Sequence, residues 1–272
     1  MNIHLFRVLV GGLLLTAGLL IPAPARAQGT GLPFTSTFDA GNFSEWDGFR
    51  NTTGAEIMNA GCQSGRCLRT PLVAGTNSDT YGDFYFADHV GQGGTKVEEV
   101  WLSLYAKFDP GLSFPSGQKI AILNLTDGVV SQRRYQVIVF VGSNGEYTLQ
   151  HSDIANWRFW NRGQNQGTPV TVRLGQWDKL KLYVRLNTPG QSNGILRLWV
   201  NDQLKAQHSD VNIRFDTVHG MNKLILSTYA DPSNPSNGFE WHDTIKLQLT
   251  DPDGGSGPTP PSAPSGVRVV TP

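Results

Sequence analysis

Short runs in which apolar and polar residues alternate recur along most of the chain, separated by Gly, Asn, Asp and Pro. The clearest run is Glu99–Phe108, in which apolar positions alternate with larger or polar ones: Val100, Leu102, Leu104 and Ala106 against Trp101, Ser103, Tyr105 and Lys107. Side chains that alternate in this way lie on the two faces of a β-strand. The run therefore predicts a strand with one buried face.

Turn residues join several of these runs into hairpins. Ser143-Asn144-Gly145 separates residues 133–141 from 146–150, and Asn193-Gly194 separates 177–186 from 195–200. Further strands are predicted at 67–72, 83–86, 118–125, 203–207, 223–229 and 244–249. About a dozen short strands without βαβ alternation indicate an all-β fold of two packed antiparallel sheets.

The two ends of the chain differ from this pattern. Residues 1–27 have a basic start, an apolar run and an Ala25-Arg26-Ala27 exit, which together predict a secretory signal peptide cleaved near Ala27. The alternative is a membrane anchor, but the apolar run is shorter than the ~20 residues that a spanning helix needs. We expect a secreted or periplasmic protein with a domain at 28–250. Residues 251–272, rich in Pro and Gly, are predicted to be a linker or tail.

The charge of the chain argues against one class of partner, and its two cysteines indicate a disulfide. The chain has 22 basic and 22 acidic residues, which argues against a nucleic-acid partner. In an oxidising compartment, Cys62 and Cys67 are expected to form a disulfide, with two free thiols as the alternative. No metal or other cofactor is expected: a structural calcium near Asp243 would need a cluster of oxygen ligands, and the sequence does not offer one.

One block of sequence resembles a known family. Val184-Arg185-Leu186-Asn187-Thr188-Pro189-Gly190, followed by Asn193-Gly194 and Leu198-Trp199-Val200-Asn201, is similar to the concanavalin A-like polysaccharide lyases, closest to the family 14 alginate lyase-like group. The resemblance implies a jelly-roll sandwich of two antiparallel sheets. It specifies the fold more strongly than the chemistry, because many lectin-like domains build a similar hairpin.

Three sequence elements of that family are present in whole or in part. Lys119 stands at the family's lysine position, although Gln118 replaces the glycine that precedes it in the family. Ser131-Gln132-Arg133 matches a Ser-x-Arg motif. Tyr147 matches the second tyrosine of a Tyr-x-Tyr motif, and Gly145 stands where the first would be. His151 is the nearest substitute for the missing tyrosine.

The resemblance implies a different chemical role for each of these residues. A lyase of uronic acid polymers must neutralise the substrate carboxylate, remove the adjacent proton and protonate the leaving oxygen. Arg133 and Lys119 are the candidates for the first task, with Ser131 beside them. Tyr147 is the candidate acid or base. We expect these side chains and His151 to meet on one open sheet face. The alternative is that the charges are solvated and Tyr147 packs in the core.

Aromatic residues supply a second candidate feature. Trp157, Arg158 and Trp160 lie within the seven-residue segment 156–162 and could stack on sugar rings and bind carboxylates, and Tyr81 could line the same groove. The alternative interpretation is a loop whose aromatic side chains cover the core.

The sequence therefore predicts a monomeric, exported polysaccharide lyase acting on an acidic polysaccharide. A non-catalytic carbohydrate-binding module and a laminin-G-like domain that recognises protein are the alternatives. A jelly-roll glycoside hydrolase would carry paired carboxylates in a Glu-x-Asp-x-x-Glu motif, and this sequence has none.

Overall fold

A computed structural model describes residues 31–76, 78–86, 97–127, 135–163, 165, 169–230, 233 and 236–254, with the backbone alone at 78, 79 and 230. The predicted signal peptide lies outside the described residues, as does most of the predicted tail. No helix in the described part of the chain is long and apolar enough to cross a membrane.

The described residues are almost entirely β-structure. The strands are β1 (Phe34–Ser36), β2 (Gly48–Arg50), β3 (Glu56–Met58), β4 (Cys67–Leu72), β5 (Ser78–Tyr85), β6 (Glu99–Phe108), β7 (Gln118–Thr126), β8 (Tyr135–Val141), β9 (Tyr147–Asp153), β10 (Arg158–Arg162), β11 (Asp178–Arg185), β12 (Gly194–Val200), β13 (Gln203–Val211), β14 (Gly220–Ala230) and β15 (Gly238–Gln248). A single 3₁₀ turn at Ile154–Asn156 is the one helical element among them.

The strands form two antiparallel sheets. An eight-stranded sheet runs β13-β12-β11-β6-β15-β4-β3, with β1 also paired to β15. A seven-stranded sheet runs β10-β9-β8-β7-β14-β5-β2. Neighbours in the sheets are often distant in sequence, as β6 with β15 and β7 with β14. The predicted all-β sandwich is therefore confirmed.

One hydrophobic core fills the space between the sheets. Val100, Leu102, Leu104 and Ala106 of β6 all belong to it, as their alternation predicts. The seven-stranded sheet contributes core side chains from its inward face, including Val137 and Val139 of β8, Leu224 and Leu226 of β14 and Leu149 of β9.

Several strand bounds differ from the sequence-based expectation: β5 begins at Ser78 rather than at 83, and β13 ends at Val211 rather than at 207. The last strand begins at Gly238 rather than at 244, because residues 238–242 pair with β4 and residues 240–243 pair with β6. Residues 158–162, one interpretation of which was a covering loop, instead form the edge strand β10, since they pair along the whole of their length with β9.

Candidate functional site

The candidate site is the outer face of the seven-stranded sheet, the face directed away from the core. Ile122, Ile138 and Ile225 form a small apolar cluster there, separate from the main core, with Tyr81 and Phe140 packed against it. Polar side chains surround this cluster. Gln136 Nε2 donates to Asn124 Oδ1 over 2.8 Å, and Gln150 Nε2 donates to Asn161 Oδ1 over 2.7 Å. The outer face therefore combines an apolar centre with hydrogen-bonding side chains around it.

Lys119 lies on this outer face, near the start of β7. It is opposite Phe140 of β8 in the sheet register. Its Nζ is 4.5 Å from the centre of the Tyr229 ring, which belongs to the neighbouring strand β14. The site therefore contains a lysine cation beside a half-buried tyrosine.

The residue before Lys119 faces the opposite way. Gln118 is buried, and its Nε2 donates a 2.6 Å hydrogen bond to Oε2 of Glu240 on the other sheet. Glu240 is fully buried, and its Oε1 is 3.0 Å from Nε2 of His242, close enough for an ion pair but not aligned for a hydrogen bond. Burial raises the pKa of Glu240, and the contacts with His242 and Gln118 lower it.

Ser131 and Arg133, the other two candidates for binding the substrate carboxylate, lie outside the described residues. They precede β8 in the sequence. Their assignment stays a prediction.

Tyr147 is not on the open face, and the expectation that it would lie there beside Lys119 is wrong. Its side chain is 0% exposed and belongs to the core between the sheets. Its hydroxyl donates to Oδ2 of the buried Asp178 over 2.8 Å. Burial and the Asp178 carboxylate raise the pKa of Tyr147 well above its usual value. A phenol in this position cannot reach a polymer, so we assign it a packing role.

His151 is also on the inward side of β9. Its ring stacks on Trp160 at a centroid distance of 4.8 Å, and its Nε2 accepts a 3.3 Å hydrogen bond from Nε of Arg162. Burial and the neighbouring Arg162 cation lower its pKa to about 4. The imidazole is therefore neutral at neutral pH, but it is 1% exposed and does not contact the outer face. It does not replace the missing tyrosine.

The aromatic segment divides into two environments. Trp157 is 79% exposed and Phe159 50% exposed, with their ring centres 6.4 Å apart. Phe159 is opposite Ser152 in the register and continues the outer face onto the edge strand β10. Trp160 instead packs on His151, while Arg158 is exposed. Trp160 is therefore packed inward, while Trp157 and Arg158 are open to solvent, and their role in binding sugar stays a prediction.

Tyr81 lies on the outer face within a charged group. The guanidinium carbon of Arg50 is 5.4 Å from the centre of the Tyr81 ring. Nη2 of Arg50 is 3.0 Å from Oδ2 of Asp83, and Nζ of Lys223 is 3.0 Å from Oδ1 of the same carboxylate. Lys223 Nζ is also 4.7 Å from the centre of the Tyr85 ring. One carboxylate therefore binds two cations here.

Cys62 and Cys67 form the expected disulfide. The loop that it closes is tied to β15, since the backbone N–H groups of Gln63 and Ser64 both donate to Oδ2 of Asp243 over 2.9 Å. Among the described residues, no group of three or more His, Cys, Asp or Glu side chains could hold a metal ion.

Three outer-face residues were not identified from the sequence: Tyr229, Phe159 and Arg50. Tyr229 could have been found from the alternation of β14, where Leu224 and Leu226 face the core and the residues between and after them face outward. Arg50 carried no comparable signal, because β2 has three residues.

Comparisons with known proteins agree with the fold. Residues 152–236, from β9 to the segment after β14, match the family described as polysaccharide lyase 14. No curated protein matches the chain.

Several solved structures share the fold. The endo-β-1,4-glucuronan lyase of the fungus Trichoderma reesei superposes with a TM-score of 0.58 at 14% identity, covering 80% of this chain and 95% of the other. The alginate lyase of Aplysia kurodai superposes with a TM-score of 0.57 at 13% identity, covering 82% of this chain and 100% of the other. The cellulose-induced protein Cip1 has a TM-score of 0.53 at 11% identity, covering 80% and 97%. These similarities confirm the concanavalin A-like jelly roll.

Proposed function

From the resemblance to polysaccharide lyase family 14, we propose that this protein is a polysaccharide lyase that cleaves an acidic, uronic acid-containing polysaccharide by β-elimination. The observation that carries the proposal is the position of Lys119: a cation on the outer face of the sheet, next to a phenol, at the lysine position of the family that the chain resembles. We infer that the chain is exported after cleavage near Ala27 and that 28–250 is the catalytic domain. The disulfide supports this, because such bonds persist in oxidising compartments.

β-Elimination needs a cation where negative charge develops. Removal of the C5 proton of a uronate leaves charge on the carboxylate, the C4–O4 bond then breaks, and O4 takes up a proton as a C4–C5 double bond forms. Lys119 is suited to stabilising that charge, since a preorganised cation lowers the barrier without reorganisation. Arg133 and Ser131 are proposed as its partners, because a guanidinium matches a carboxylate in shape.

We assign the proton transfers to Tyr229 rather than to Tyr147. The Tyr229 ring lies 4.5 Å from Lys119 Nζ, whereas Tyr147 is enclosed between the sheets. A candidate acid or base must be within reach of the proton that it moves. Of these two tyrosines, Tyr229 is the one that meets this condition.

The direct test follows the ultraviolet absorbance of the unsaturated uronate product. Purified protein is incubated with alginate, glucuronan and heparin-type polymers, and with a neutral β-glucan as the substrate control. We expect absorbance to grow with at least one acidic polymer. Lys119→Ala should lower kcat by at least about a hundredfold, as loss of a charge-stabilising group does. Tyr229→Phe should lower kcat as well.

Lys246→Ala is the matched control for Lys119→Ala. Lys246 is a half-buried lysine of β15, in the eight-stranded sheet, and its removal should leave the rate unchanged. Full activity of folded Lys119→Ala would contradict the assigned site. Absence of absorbance growth across the acidic polymers would contradict the lyase proposal as a whole.

A carbohydrate-binding module without catalysis is the second candidate function. One observation favours it: the side chains of Tyr147 and His151, two of the residues that the resemblance suggested for catalysis, face the core. In the same experiment, this function predicts retention of an acidic polymer in affinity electrophoresis without any growth of absorbance.

A further inference from the structure

We infer that Arg50, Asp83 and Lys223 form an anion subsite, separate from Lys119, that binds a carboxylate of an acidic polysaccharide. The inference rests on the proposed function for its substrate class. It concerns where the polymer is held and not where it is cleaved.

The first argument is charge. Asp83 is 8% exposed and is bound by two cations, so the three side chains carry two positive charges and one negative charge, a net charge of +1. Asp47 is the carboxylate next along the edge. Its Oδ2 accepts the backbone N–H of Tyr85, and its own N–H donates to the carbonyl of Asp83, so it extends the pairing of β2 with β5 in the plane of the sheet. The Asp47 carboxylate is thus bound to the backbone of β5, and the three clustered side chains keep their net positive charge.

The second argument is the contrast between the two cations. The Lys223 side chain is 11% exposed and is enclosed by Asp83 and the Tyr85 ring. The Arg50 side chain is 59% exposed, on an edge strand. An exposed ion pair is weak because solvent screens it. Arg50 can therefore bind an incoming carboxylate while Asp83 and the Tyr81 ring restrict its orientation. A guanidinium fork that is already oriented loses little entropy on binding.

The third argument is position. Lys119 is on β7 and Arg50 is on β2, with β14 and β5 between them. Three strand spacings of about 4.8 Å separate them laterally by about 14 Å. Between them lies Ser227, which is opposite Tyr81 in the register and has a buried hydroxyl without a hydrogen-bond partner among the described residues. A polymer that crosses the strands would contact Lys119 and Arg50 with different sugar units.

The test separates this subsite from the site of cleavage. Arg50→Gln should weaken equilibrium binding of alginate or glucuronan about tenfold and raise KM by a similar factor, with kcat within about twofold of the wild-type value. Loss of an interaction that is equally strong in the ground and transition states has this effect. The salt dependence of binding should become shallower. Binding of a neutral β-glucan should not change.

Two further variants exclude a structural explanation. Arg185→Gln removes a half-buried arginine of β11, in the other sheet, and should bind as the wild type does. Asp83→Asn raises the net charge of the cluster while keeping its shape, so it should bind acidic polymer at least as tightly as the wild type. If the cluster only stabilised the fold, both Arg50→Gln and Asp83→Asn would instead weaken the binding of acidic polymer.

The proposal is overturned if Arg50→Gln binds acidic polymer with wild-type affinity, if binding of the neutral polymer falls equally, or if the wild type binds no acidic polymer. Failure of the proposed function would look different. Wild-type protein that binds acidic polymer without cleaving it, with binding lost in Arg50→Gln, would contradict the lyase and support the subsite.

Discussion

Gln118 and Glu240 are joined across the interior of the sandwich by a 2.6 Å hydrogen bond, although 122 positions separate them in the chain. The contact gives a structural reason for the glutamine that stands where the family has a glycine before its lysine. A glycine at 118 would leave one oxygen of the buried Glu240 without its donor. Glutamine satisfies that oxygen and, because successive residues of a strand face opposite ways, leaves Lys119 on the outer face.

Replacing Gln118 by Gly should therefore destabilise the protein rather than restore a family-like site. We expect a loss of about 2–4 kcal/mol in the free energy of unfolding, from an unpaired buried carboxylate oxygen and a flexible residue within a strand. Urea denaturation followed by tryptophan fluorescence measures it. Gln203→Gly, at an exposed position of β13, is the control and should cost less than half as much. Equal losses in the two variants would show that the Glu240 contact contributes little.

The buried His151 makes stability depend on pH. Its pKa is about 4 in the folded protein, below the usual 6.5 of an unfolded chain, so the unfolded state binds the proton more readily. The contribution of His151 to the free energy of unfolding should be fully present above pH 6.5. It should be lost as the pH drops towards 4, and the loss should reach up to about 3 kcal/mol. Denaturation curves from pH 7 to pH 4 measure the slope.

His151→Gln removes the titrating group and should flatten that slope. His208→Gln removes a half-buried imidazole of β13 that lowers the pKa of His151 less than burial and Arg162 do, so most of the slope should remain. An unchanged slope in His151→Gln would assign the acid sensitivity to other groups.

Alternation along β6 was sufficient to predict its bounds and both of its faces, because the pattern is local. It also correctly predicted that Tyr147, Leu149 and His151 share a face of β9. The direction of that face was wrong, although Leu149, an apolar residue between the two polar ones, indicated the core. A phenol is tolerated there because Asp178, on the other sheet, accepts a hydrogen bond from its hydroxyl. That contact and the Lys119–Tyr229 pair depend on strand pairing between distant parts of the chain, which no local pattern records.

The disulfide should stabilise the fold modestly. It closes a loop of six residues, for which the loss of chain entropy in the unfolded state is worth about 2 kcal/mol. Reduction should also weaken the two hydrogen bonds that the backbone N–H groups of Gln63 and Ser64 donate to Asp243. Guanidinium denaturation with and without dithiothreitol measures the difference, and Cys62→Ser/Cys67→Ser should match the reduced protein and not respond to reductant. A wild-type midpoint that reductant leaves unchanged would contradict a stabilising role.

Trp157 and Phe159 should contribute to the binding of long chains more than of short ones. They are exposed, next to each other, at the β10 edge of the outer face, four strands from β14 and Tyr229. Stacking of a sugar ring on an aromatic face is worth about 0.5–1.5 kcal/mol, if it resembles aromatic pairing. Trp157→Ala should therefore weaken the binding of an acidic polymer about three- to tenfold. A short oligosaccharide that occupies the centre of the sheet should bind equally well to the variant and the wild type. Leu249→Ala removes an apolar side chain that is 52% exposed. It is the control for the general effect of removing exposed apolar surface. If Trp157→Ala weakens the binding of short and long ligands by the same factor, the residue affects the centre of the sheet and is not a separate binding site for long chains.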